Sequence, residues 1–120
     1  MQNALFCSAI SETLRRSEND LNVYTVDLPD RVADECKWIM PYALLMEVTG
    51  YSPWKIAERM RIVAAIKQRD PNCKIAFIVD ENAEKDMAKQ VKQLKKDGEI
   101  DQFIYGSISA AYLADIVDSL

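Results

Sequence analysis

A doubly wound α/β fold is what this sequence predicts: five strand-and-helix units forming one parallel five-stranded sheet of order 2-1-3-4-5, with helices on both faces. Three observations predict it. Apolar runs alternate with helical patterns from end to end. No repeat, low-complexity tract or Gly/Ser linker divides the chain. Units of this length join parallel strands through right-handed crossovers. At 120 residues and 49% hydrophobic, the chain can bury one ordinary core and hardly two, so residues 1–120 read as a single domain.

Each element has its own signal. Residues 4–7 form a short apolar run, and 8–17 read as a helix with Ile10 and Leu14 on one face. Val23, Tyr24, Thr25 and Val26 are β-branched or aromatic and predict the second strand, closed by Asp27. Pro29 suits the first turn of a helix, where its missing N–H is harmless. Val32, Ala33, Cys36 and either Trp38 or Ile39 give that helix an apolar stripe, and Pro41 stops it. Ala43-Leu44-Leu45-Met46 is the third strand, ending at Glu47.

Ser52-Pro53 offers an N-cap followed by proline, predicting a helix to about Arg69 with Ile56, Met60, Val63, Ala64 and Ile66 inward. After the Asp70-Pro71-Asn72 turn, residues 74–79 are the fourth strand. A charged helix follows, with Met87, Val91 and Leu94 inward and Gly98 at its end. Residues 100–105 are the last strand. Ser109 caps a final helix that turns Tyr112, Leu113, Ile116, Val117 and Leu120 to the sheet.

Composition narrows the function. A net charge of −4, with acidic and basic residues interspersed, argues against unaided nucleic-acid binding, which needs a concentrated positive surface. The chain has no histidine, which removes His general bases, Ser-His and Cys-His nucleophile pairs, histidine metal sites and a histidine phosphodonor. Cys7, Cys36 and Cys73 form no C-x-x-C pair and read as buried thiols in a reducing compartment. The opening residues lack a signal-peptide pattern, and no apolar run approaches membrane-spanning length, so a cytoplasmic location is expected.

In the 2-1-3-4-5 order the carboxyl ends of strands one, three and four converge, where ligands of open α/β sheets collect. They present Ser8 and Ala9, then Glu47, then Val79 and Asp80. Pro41-Tyr42-Ala43-Leu44-Leu45-Met46-Glu47-Val48 resembles the third-strand signature of response-regulator receiver domains, which have a flavodoxin-like fold. The likeness runs the length of the chain and includes Asp97-Gly98 through Ser107. In that family the third strand ends in a phosphate-accepting aspartate, and the resemblance assigns its position to Glu47.

The departures from the family are as specific as the match. Receivers hold magnesium with an acidic pair after strand one, where this chain has Ser8 and Ala9, poor donors for a hard cation. The hydroxyl position falls on Val79, and the lysine position on Gly106 or, one residue earlier, Tyr105. Phosphoryl transfer relies on the metal and a cation to stabilise the transferring group, so no cofactor is expected and no catalysis. The resemblance then implies a degenerate receiver, a phosphorylation-independent signalling or protein-interaction module. Glu47 either imitates part of a phosphoaspartate's charge or is simply solvated. Thr49 completes the strand-tip pocket.

The same resemblance directs a protein partner, or a second copy of the chain, to the fourth helix, fifth strand and fifth helix. There Phe103 matches an aromatic switch residue, and Tyr105 and Tyr112 extend the face. The charged helix itself reads by default as a solvated face. Alternatives stay open: a metal site on Glu47 and Asp80, a small-ligand sensor with Tyr51 and Trp54 over the crevice, or the receiver part of a longer transcriptional regulator. For Tyr51 and Trp54 the plainer use is to cover the vacated pocket, and for Asp80 to cap the following helix.

Overall fold

Two apolar runs without internal charge, Ala43–Glu47 up to its last residue and Ile75 to Val79, form the centre of a parallel sheet in the computed structural model, which describes residues 12, 14–16, 22–26, 29–107 and 110–120. In chain order the elements are a 3-10 turn at Pro29–Arg31, α1 (Val32–Ile39), β1 (Ala43–Glu47), α2 (Ile56–Arg69), β2 (Lys74–Val79), α3 (Lys85–Lys96), β3 (Gln102–Tyr105) and α4 (Ala110–Asp118). The strands lie in the order β1-β2-β3, all parallel, with Glu47 opposite Ile78 and Val79 opposite Tyr105.

β2 is buried on both faces, which is why it reads as an unbroken hydrophobic run. Ile75, Phe77 and Val79 point to one side, where Val32 of α1, Val63 and Ile66 of α2 and Val91 of α3 complete the larger core. Ala76 and Ile78 point to the other, against Leu14 and against Leu113 and Ala114 of α4. Helices therefore cover both faces, as parallel sheets require.

The sheet corrects the five-stranded expectation. Among the described residues it has three strands, and the expected first strand at 4–7 lies outside them. Residues 22–26 are described and form no strand. Their composition suits a pleated surface, yet β propensity records side-chain fit rather than pairing. Val23 packs into the smaller core and Val26 into the larger one, so the run contributes to both cores without joining a ladder.

Other differences have local causes. α2 starts at Ile56 rather than at Ser52-Pro53, because residues 49–54 close on themselves: the Thr49 N–H donates to Trp54 O (3.0 Å) and the Trp54 N–H to Tyr51 O (2.9 Å). The Ser52 hydroxyl donates to Glu58 Oε1 (2.9 Å) instead of capping the helix. The bond before Pro53 is cis. Ala64 is exposed, one residue past Val63 and so a quarter-turn off the buried stripe. Trp38 is 81% exposed and Ile39 takes the inward place, in line with Val32 and Cys36.

Tyr112 is also turned out, at 59% exposure. Ala114 is buried beside Leu113, which rotates the covered face of α4 away from Tyr112. Ser109 and Asp27 lie outside the described residues. Gly98, with φ of 79°, ends the turn after α3 in the left-handed conformation that glycine adopts freely.

Candidate functional site

The register brings the carboxyl ends of the three strands level, and main-chain bonds carry the ladder one step further. The Val48 N–H donates to Ile78 O and the Gly106 N–H to Val79 O, both at 2.9 Å. Glu47, Thr49, Val79, Asp80, Tyr105 and Gly106 therefore do share one end of the sheet. Ser8 and Ala9, the other expected members, lie outside the described residues. Val79 is fully buried, an apolar side chain packed into the larger core at the end of β2.

The acids at this end are engaged in shaping loops. Asp80 Oδ1 accepts from the N–H groups of Asn82 (3.0 Å) and Ala83 (3.1 Å). It thus caps the turn after β2 and not the helix, whose N-terminal flank is Glu84. Glu84 Oε1 reaches across to accept from the Gly50 N–H (3.2 Å), tying the loop after β1 to the loop after β2. The Ser107 hydroxyl donates to Glu81 Oε1 and joins the loop after β3 to the same cluster. Among the described residues, no three His, Cys, Asp or Glu side chains gather as metal ligands do.

The loop between Thr49 and Trp54 splits its two aromatics. Tyr51 is exposed. Trp54 is half-buried, and its Nε1 is shielded from solvent without a hydrogen-bond partner among the described residues.

Arg59, which sequence reasoning passed over, is the buried cation of this region. Only 2% exposed, it donates from Nε to the main-chain oxygen of Glu47 (2.9 Å). Burial pulls its guanidinium down to about 10, against the Glu47 and Glu58 carboxylates, which act to raise it. It therefore remains charged at neutral pH. Its signal was present: Ile56, Arg59, Val63 and Ile66 follow the helical period, so an arginine occupies an inward position.

On the expected interaction face, Phe103 is half-buried against the larger core and stacks at a tilt on Tyr105, ring centroids 5.4 Å apart. The Lys95 ammonium of α3 lies 5.7 Å from the Phe103 ring. Tyr105 is 39% exposed, and with Tyr112 it leaves aromatic surface on β3 and on α4 open to contact.

Cys36 and Cys73 are free thiols in α1 and before β2, with Cys73 buried. Burial pushes the Cys73 thiol up to about 11, so neither packing nor charge prepares it as a nucleophile. Cys7 lies outside the described residues. Among the described residues no helix is long and apolar enough to cross a membrane. Comparison with known proteins finds no matching family model, no matching curated protein and no matching solved structure.

Proposed function

We propose that this chain is a degenerate response-regulator receiver domain, a cytoplasmic signalling module that engages a protein partner or a second copy of itself without phosphoryl transfer. The observation that carries the reading is the pair of exposed tyrosines on β3 and α4: Tyr105 stacked on Phe103, which packs against the larger core, and Tyr112 on the helix that covers the other side of the sheet. Tyrosines held in place by packing make contact anchors at little entropic cost. Lys95 adds a cation beside them.

Support at the strand tips is chemical. The resemblance gives Glu47 the phosphoacceptor position, and it lies at the end of the sheet with a buried valine and with acids already bonded to loop amides and a hydroxyl. Such a set offers a fixed negative charge, whereas phosphoryl transfer needs a metal and a cation aimed at the transferring oxygens.

Two measurements test the reading. Intact mass after incubation with acetyl phosphate and magnesium should be unchanged, and a magnesium-dependent adduct abolished by Glu47→Ala would refute it. Sedimentation velocity on the wild type and on Tyr105→Ala/Tyr112→Ala should show association weakened in the double variant while both stay folded. Surface substitutions of this kind change stability by about 0.5 kcal/mol or less. A wild type that remains monomeric at every concentration would assign the face to a different protein.

A further inference from the structure

A cavity of about 530 Å3 surrounds β1, the strand at one end of the described sheet. Its lining includes Val32 and Cys36 from one face of the sheet and Val117 and Leu120 from the other, together with residues 22–26, and it is partly open to solvent. Its walls are chiefly apolar, with Val23, Val26, Leu44 and Met46 among them. Its volume lies within the roughly 300–1,000 Å3 usual for small-molecule sites.

Arg59 opens into this cavity. It is 98% shielded from solvent, yet among the described residues its one hydrogen bond is from Nε to Glu47 O, and the ion pairs of those residues do not include it. Glu35, the carboxylate in the lining, is already paired with Arg31 at 3.1 Å. A guanidinium presents five N–H donors in a planar fork and cannot shed its charge at neutral pH. Its planar fork fits a bidentate anion, and in a largely apolar cavity such a partner binds the guanidinium more strongly than water does.

We propose that this cavity binds a small carboxylic acid carrying an apolar chain or ring, its carboxylate held by the terminal nitrogens of Arg59. The apolar walls take the body of the molecule. The Glu47 and Glu58 carboxylates, close enough to act on Arg59, favour a monoanion over a phosphate dianion. The site is separate from the aromatic face, and it stands or falls independently of the partner reading.

The test is titration calorimetry on the full chain with octanoate and 4-phenylbutyrate, against 1-octanol, which has the chain without the charge, and acetate, which has the charge without the chain. The expected result is saturable binding of one molecule of octanoate or phenylbutyrate per chain, tighter than either control. Preference between the two separates chain from ring. Arg59→Met, which keeps volume and removes charge, should weaken binding about tenfold or more while leaving octanol unaffected. Val26→Trp, which fills the cavity and keeps Arg59, should abolish it and covers the case in which the Arg59 variant does not fold. No binding by folded wild type, equal affinity for octanoate and octanol, or binding unchanged in either folded variant would overturn the proposal.

Discussion

The two ends of the sheet handle charge in opposite ways. At the amino end, Asp101 sits just before β3 and its Oδ2 accepts from the N–H of Ile75 in β2 (2.8 Å) and from Lys67 of α2 (3.2 Å). The Asp101 N–H returns a bond to Ile75 O (2.9 Å), so strand, helix and loop are pinned by one residue. Burial works to raise the Asp101 carboxyl, but the Ile75 amide and Lys67 outweigh it and hold it below its ordinary value of 3.8. At the carboxyl end, several acids each fasten a loop, and the buried cation bonds a main-chain oxygen instead of a carboxylate. At the amino end the Asp101 carboxylate is matched by an ammonium and a main-chain N–H. At the other end Arg59 makes one hydrogen bond among the described residues, to the Glu47 carbonyl, and its remaining donors face the cavity proposed as a binding site.

The largest effect that could break this contrast is at Arg59. Arg59→Glu puts a carboxylate into an apolar cavity near Glu47 and Glu58, and urea denaturation should show a loss of more than about 3 kcal/mol. Arg59→Met keeps most of the packing and should cost less, about 1–3 kcal/mol, because the Glu47 carbonyl loses its donor. A Met variant as damaged as the Glu variant would mean that Arg59 is structurally satisfied, and the contrast would disappear.

Asp101→Ala comes next. It leaves the N–H of the fully buried Ile75 without an acceptor, a loss of about 1–3 kcal/mol at neutral pH. Because the folded-state carboxyl is depressed, its charge stabilises the protein above the unfolded value near 4 and ceases to do so as pH falls through the folded one. The gap between wild type and variant should therefore narrow below about pH 4. A gap that widens with acid would reverse the sign argued here.

The smallest effect is expected at Glu84→Ala, which removes one bond at the protein surface, to the Gly50 N–H, and should change stability by about 0.5–1.5 kcal/mol. Hydrogen exchange sharpens the test, since the Gly50 amide should lose protection while those of β2 keep theirs. Exchange accelerated equally across the sheet would show that the carboxyl-end loops are as integral as the amino-end network.

Much of the frame was legible in local pattern. The run from Lys74 to Val79 forms a strand with those bounds because nothing but a buried parallel strand suits so continuous an apolar segment of that length. Asp70-Pro71-Asn72 and Gly98 punctuate the chain where turn chemistry says they should. Residues 22–26 misled because Val23 and Val26 do serve the cores, and propensity cannot tell a packed extended segment from a paired one. Ser52 misled because its hydroxyl found Glu58 before it could cap a helix. At the site, the expected tip residues that are described share one end of the sheet, but Asp101 and Glu84 left no local trace, since their partners lie far along the chain.

By itself, the sequence determined the α/β class, the positions of β1 and β2, the absence of histidine chemistry and the placement of Glu47 at a strand end, because periodicity and composition act over a few residues. Only the tertiary structure decided that Tyr112 faces out, that Asp101 locks β2, and that Arg59 is buried against the Glu47 carbonyl beside a cavity. Those outcomes depend on which surfaces of distant segments come together, and burial is what makes an ordinary charge or hydrogen bond either structural or functional.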